Sequence, residues 1–416
     1  MANYIFYILA FLGFCLPTNN HFYLPIPGIQ LQIRELAFLL LPLINFACSS
    51  KNQAYVKDKK LKKLIFLFVL IVLFTEFIVK GVVFNQNFMD AFKAFRIGLP
   101  LMSSLIILYN GIRADVKIVW NVFLYSLGVS ILISIVSIFI YLPINNDMEE
   151  GVRMLGMASG RLENANASFG VIGIYLLFND KDKWFNKGKL VKYISYLSII
   201  SLLLAFNRTF LALLFLEFAY FSYKTFSFKN AVRIILIPIL FVGIVALAYT
   251  SNESIRYQID NRFFSILTQK TSLKEATIEG NRDFIYDGIS ARISEGFWII
   301  GLPLKTGIFE YYAVLKGTTT AASVTDISPV NILLRNGVFC LFLFILILFR
   351  IWRIRFISGI VLLIYILVSF NSDALYSQNS ILFLILFGLV YQSSLRKGMN
   401  KKQTEYKQLS FGNEKI

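Results

Sequence analysis

Runs of 15 to 24 mostly apolar residues recur along almost the whole chain, and a bilayer core of about 30 Å needs about 20 such residues per crossing helix. That feature leaves one class of fold, an all-α polytopic integral membrane protein. Twelve runs qualify as candidate spans: Tyr4 to Leu16, Leu31 to Ala47, Leu64 to Phe84, Ala94 to Tyr109, Val119 to Leu142, Ala167 to Phe178, Tyr193 to Phe206, Phe210 to Tyr223, Ile234 to Tyr249, Ile327 to Phe349, Phe356 to Phe370 and Tyr376 to Tyr391. Composition agrees, because 57% of the 416 residues are hydrophobic and only 16% are charged, whereas soluble domains carry about 25% charge. The first run leads into Asn-rich and Pro-rich sequence rather than a small-residue cleavage site, so it reads as a retained span.

The net charge of +17 in a soluble chain would suggest nucleic acid. Here it records topology. Alternate loops hold Lys51, Lys57, Lys59, Lys60, Lys62 and Lys63; Arg113 and Lys117; Lys181, Lys183, Lys187, Lys189 and Lys192; Lys224, Lys229 and Arg233; and Arg350, Arg353 and Arg355. With six more in the tail, these make up more than half of the 41 basic residues. Against them stand only Asp58, Asp115, Asp180, Asp182, Glu405 and Glu414. The positive-inside rule then puts both termini in the cytoplasm. The parity depends on reading Lys192 to Lys224 as two short spans broken at Asn207-Arg208-Thr209, since one helix of that length would run about 46 Å.

The chain divides into residues 1–250 with nine spans, 251–326 as a large outer loop, 327–392 with three spans, and 393–416 as a basic cytoplasmic tail. Within the large loop, Ile285, Ile289, Ile293 and Phe297 form an i+4 stripe. This amphipathic helix leaves Arg282, Asp283, Tyr286, Asp287 and Arg292 on a polar face, and Trp298 to Leu302 then reads as a segment on the membrane surface. A stretch with Ile259, Phe263, Ile266 and Leu267 reads similarly.

Arg208 is the sharpest single position. It lies 16 residues from both Lys192 and Lys224, several ångströms inside the outer edge of the core. An arginine there costs about 2.5–3.5 kcal/mol on insertion scales, so it is either a snorkelling anchor or an anion site. Arg161, Asn164 and Asn166 precede the sixth span; Asp326 stands at the mouth of the tenth, as an N-cap or a carboxylate near chemistry. Arg335, about 13 Å further along, is an internal ion-pair partner or a second cation for a substrate. Glu76 and Lys80, four apart in the third span, most simply neutralise each other. Glu217 is intramembrane but on the cytoplasmic half. His21 has no nearby ligand set, Asp180-Lys181-Asp182 sits among lysines, and Cys15, Cys48 and Cys340 show no metal-ligand spacing. No metal or cofactor is expected.

Four elements together resemble the O-antigen polymerase and O-antigen ligase superfamily. They are Gly160-Arg161 with Asn164 and Asn166, Asn207-Arg208-Thr209 between two short spans, Gly280-Asn281-Arg282 in the large outer loop, and Asp326 eleven residues before Gly337. In that family the second element usually reads Ser-Arg, and the third reads Gly-Arg followed by an aromatic; here Asn207 replaces the serine, Asn281 is inserted, and Phe284 or Tyr286 stands in. The likeness covers most of the chain in topology but only some twenty residues in motif. Family ligases carry a histidine where Asp326 stands, so the resemblance favours a polymerase.

The resemblance implies oligosaccharide repeat units on undecaprenyl pyrophosphate as substrates, at the outer face of a bacterial inner membrane. It implies Arg208 and Arg282 as pyrophosphate ligands, with Asp326 as a base or acceptor-orienting group. Arg161, Asn164, Asn166, Arg292 and Arg335 are then substrate contacts, and a chain-length regulator is a candidate partner alongside membrane lipid, with no nucleic acid. A ligase-like transferase and a lipid-oligosaccharide flippase are the alternatives; the chain shows no internal repeat of the kind carriers use.

Overall fold

The computed structural model describes residues 1–15, 23–26, 29–140, 173, 189–204, 208–224, 232, 239, 242–243, 245–247, 249–260, 264, 283–313, 318–322, 325, 327–370, 375–376, 381–382 and 384–392. These are mostly helical. In chain order the helices are α1 (Ala2–Cys15), α2 (Ile33–Ala47), α3 (Lys59–Phe74), α4 (Lys80–Phe84), α5 (Phe88–Ile97), α6 (Leu99–Asn110) and α7 (Val116–Phe139). There follow α8 (Lys189–Leu204), α9 (Arg208–Lys224), α10 (Glu253–Ile259), α11 (Asp283–Ser294), α12 (Ser328–Asn336), α13 (Val338–Arg353) and α14 (Gly359–Val368).

The α3 and α4 segments form one helix of 26 residues, Lys59–Phe84, joined through a π turn at Thr75–Val79. At 1.5 Å per residue it reaches about 39 Å, enough to cross a membrane with tilt. Among the described residues it and Val116–Ile133 are the two helices long and apolar enough to do so, or three if the bent pair α5 and α6 counts as one span. The chain thus carries membrane-spanning helices, while the expected count of twelve is not reproduced. The sixth span lies almost wholly outside the described residues, and the ninth largely so.

Two expected straight spans are broken. The fourth bends by 73° between α5 and α6, where Gly98 caps one helix and Pro100 sits in the first turn of the next, lacking the N–H that a continuous helix would use. The tenth breaks at Gly337, whose φ of 85° lies in the left-handed region. The chain also forms two short antiparallel hairpins that the all-α reading missed. In one, β1 (Tyr23–Ile26) pairs with β2 (Ile29–Gln32), taking Leu31 and Gln32 out of the second span; in the other, β3 (Phe309–Ala313) pairs with β4 (Thr318–Ala322).

The largest cluster of buried apolar residues among the described ones draws on α1 to α3, α6 to α9, α12 to α14 and residues 375–390, and includes Phe38, Phe68, Phe123, Phe344, Tyr365 and Phe387. Lipid-type side chains such as Phe66, Leu132, Phe339 and Phe342 face outward from the same helices. At one end, three lysine- and arginine-bearing loops are tied together. Ala54 and Ile112 form an antiparallel bridge, Asn52 donates to Asp115 at 2.7 Å, and Arg350 meets Asp58 at 2.5 and 3.1 Å. Arg350 hydrogen-bonds Asp58 and, with the Leu61 N–H, holds its carboxyl below the ordinary value despite partial burial. At the other end, Glu35 pairs with Arg96 at 3.1 Å and Asp90 with Lys305 at 3.7 Å.

Candidate functional site

The end carrying Lys305 holds a small unit with its own core. Ile289 of α11, Leu302, Ile308 and Leu334 of α12 are buried together, with Ile285, Phe297, Phe309, Ile327 and Val330 around them. The apolar stripe expected on residues 285–297 is therefore mostly a packing face, except that Ile293 is 41% exposed. Gly288 allows α11 to sit directly on the hairpin, since a Cβ there would lie 2.6 Å from the Phe309 Cβ.

Residues 296–304 form a strap from α11 across the break between α12 and α13. Leu302 N–H donates to the Leu334 carbonyl at 2.7 Å, and Val338 N–H donates to the Trp298 carbonyl at 2.8 Å. Gly301 and Gly337 make the approach possible: a Cβ on either would fall 2.2 Å from the Arg335 carbonyl oxygen or 2.4 Å from that of Ile299, respectively. Irregular backbone inside a membrane protein is tolerated where protein covers it, and here two chain segments cover one another.

Beneath the strap lies a buried polar cluster from three distant parts of the chain. Glu76, Lys80, Arg335 and Asn336 are all more than nine-tenths buried. The Lys80 ammonium donates to Glu76 Oε1 and, at 2.6 Å, to the carbonyl oxygen of Arg335. Asn336 Nδ2 reaches Glu76 Oε1 at 3.5 Å, and Arg335 Nη1 reaches the Pro303 carbonyl at 3.4 Å. Gln86 links the same groups from above, accepting from Leu304 N–H at 2.9 Å and donating to the Glu76 carbonyl at 3.4 Å. The π turn lets this happen: Thr75–Val79 widens the helix where Glu76 leaves it, a distortion often found at functional sites. Beside the cluster is a cavity with about 10 Å³ of free space, room for about one water, lined by Phe68, Val72, Gly98, Met102, Asn336 and Tyr376 among others.

The expected site residues fall into three sets. Arg335 joins the Glu76 and Lys80 cluster, so the reading of Glu76 and Lys80 as a self-contained pair was too narrow. Arg292 is half-buried; its Nε donates to the Gly307 carbonyl at 3.0 Å and its Nη1 pairs with Glu295 at 2.6 Å, which braces α11 against the start of the hairpin. Arg208 is the first described residue of α9, residues 205–207 between it and α8 lying outside the described residues; its side chain lies outside them too, as do Arg161, Asn164, Asn166, Arg282 and Asp326. Two of these can still be located along the chain. Arg282 immediately precedes α11, and Asp326 comes one residue before Ile327, the N-cap position of α12, so that cap is not Asp326.

Asn331 replaces a capping carboxylate with a closed turn, its amide exchanging hydrogen bonds with Thr325 N–H and carbonyl at 2.7 and 2.8 Å. Glu217 of α9 is fully buried, and among the described residues neither carboxyl oxygen has a hydrogen-bond partner. Among the described residues no group of three or more His, Cys, Asp or Glu side chains could hold a metal. Compared with known proteins, the chain matches no family model and no curated protein.

Proposed function

We propose that this chain is a polysaccharide polymerase of the bacterial inner membrane, taking oligosaccharide repeat units carried on undecaprenyl pyrophosphate. A sugar hydroxyl of one lipid-linked unit attacks the anomeric carbon of the growing glycan. The bond from that carbon to the pyrophosphate oxygen breaks, the lipid pyrophosphate leaves with its charge, and the hydroxyl proton passes to a base. Arg208 and Arg282 stabilise the leaving pyrophosphate, because guanidinium groups fixed in a water-poor site match its oxygens and need no reorganisation as charge develops. Asp326 receives the proton or orients the acceptor; Arg161, Asn164 and Asn166 hold the rest of the substrate, while Arg292 and Arg335 brace the outer unit.

The observation that carries this reading is Arg208 in Asn207-Arg208-Thr209, the polar interruption of an otherwise apolar stretch. An arginine in apolar surroundings costs about 2.5–3.5 kcal/mol unless it meets a polar or anionic partner, and a pyrophosphate is such a partner. Arg282 and Asp326 add support by standing just before α11 and α12, the two helices that share the small outer core. Replacing Arg208 by Ala or Lys in a producing strain is expected to leave single-repeat products without long chains at normal protein level. Unchanged chain-length ladders contradict the reading, and failure of lipid-linked units to reach the outer leaflet would instead favour a flippase.

A further inference from the structure

We infer that Lys80 is a positioning residue, a latch that pins the C-terminal end of α12 to the long membrane helix and so fixes the strap and the outer unit above it. The carbonyls at a helix end have no partner within the helix, and inside a membrane each must find one. Those of α12 find three. The Leu333 oxygen accepts from Gly337 N–H at 2.9 Å, the Leu334 oxygen from Leu302 of the strap, and the Arg335 oxygen from the Lys80 ammonium.

Two of these partners are therefore not part of the α12 to α13 connection. One is the strap; the other is a lysine 255 positions away in sequence. Glu76, one turn before Lys80, holds the ammonium in place and also receives the Asn336 amide, so carboxylate and ammonium clasp both residues at the end of α12. Phe84, one turn beyond Lys80, lies 5.9 Å from the strap's Phe297, ring to ring. The strap, the break and the membrane helix form one joint, with Lys80 at its centre. Neutralising Glu76 alone does not require an interaction with a backbone carbonyl, and that extra bond distinguishes a latch from an ion pair.

Cys340 reports on the joint directly. It lies three residues past the break, is fully buried, and is a free thiol. In a Cys15→Ser, Cys48→Ser background in native membranes, N-ethylmaleimide should label it slowly. The informative variant is Glu76→Leu with Lys80→Met, which removes the ion pair as a unit and leaves the net charge of the buried cluster unchanged, with Arg335 still bonded to the Pro303 carbonyl. It still deprives the Arg335 carbonyl of its donor. Labelling of Cys340 should then rise by about tenfold to a hundredfold, the population shift expected when a hydrogen bond to a charged group is lost. Lys80→Arg, which keeps charge and donors, should restore protection.

A double variant as inert as the wild type overturns the latch and leaves only an ion pair. The functional consequence rests on the polymerase reading: at equal protein level the double variant should shorten the glycan, with Lys80→Arg restoring length. Opened labelling with full-length glycan would overturn the positioning role. Normal ladders in an Arg208→Ala strain would count against the polymerase reading itself, while the labelling result would stand independently.

Discussion

At the scale of single residues, the joint depends on where side chains are absent. Gly296 and Gly337 both have positive φ, 82° and 85°, but a Cβ on Gly296 would meet nothing within 4 Å, whereas on Gly337 it would collide with the Ile299 carbonyl. The two substitutions by alanine therefore separate backbone strain from collision. Gly296→Ala should cost about 1 kcal/mol, from left-handed strain alone. Gly337→Ala should cost clearly more and lower the thermal midpoint in detergent further; equal shifts would mean the strap does not sit against the break. The same contrast explains what the sequence could reveal. Gly337 stands out only as a spacing marker after Asp326, and nothing near it in sequence announces that the residue it must clear is Ile299.

At the scale of elements, apolar periodicity located most helices but not their interruptions. One break had its local cause in plain view, Gly98 before Leu99-Pro100. The π turn at Thr75–Val79 carries no such signal, since its residues would suit a regular helix; it sets Glu76 and Lys80 against the end of α12. The hairpins were hidden because Tyr23–Ile26 and Thr318–Ala322 are short and adjoin runs that already read as span or loop.

The opposite end offers an element-scale prediction. Asp58 caps α3 by accepting from Leu61 N–H at 2.7 Å and binds Arg350 across the bundle. Asp58→Ala should destabilise by about 1 kcal/mol through the lost cap, with a smaller, salt-screened share from the half-exposed ion pair. Because the native carboxyl titrates below its ordinary 3.8, that stabilisation is complete above about pH 4 and fades as acidity carries the pH down through the lowered value. Melting curves of wild type and variant should therefore diverge at neutral pH and converge in acid. A gap that persists unchanged at pH 3 would contradict the assignment.

At the scale of the whole molecule, the charge pattern and the structure meet in one respect. The loops rich in Lys and Arg that alternate along the sequence, at residues 48–58, 111–117 and 350–355, are joined at one end, and the outer-loop unit lies at the other. Three of the basic stretches read from the sequence thus sit together, because short loops between long apolar helices have few places to go. The charge pattern did not foresee how the large loop is anchored, since that depends on backbone bonds between residues more than 30 positions apart, such as Leu302 to Leu334. Nor did it give Lys80 a role beyond its neighbour Glu76.

As proposed, the chain joins lipid-linked repeat units by displacing a polyprenyl pyrophosphate at a site built on Arg208. The most direct measurement places the purified protein in proteoliposomes with undecaprenyl-pyrophosphate-linked repeat units and EDTA, and follows glycan length by electrophoresis. The account predicts a ladder of longer lipid-linked products with wild type and single units with Arg208→Ala. Single units with the wild-type protein, or an equal ladder from both, would contradict it.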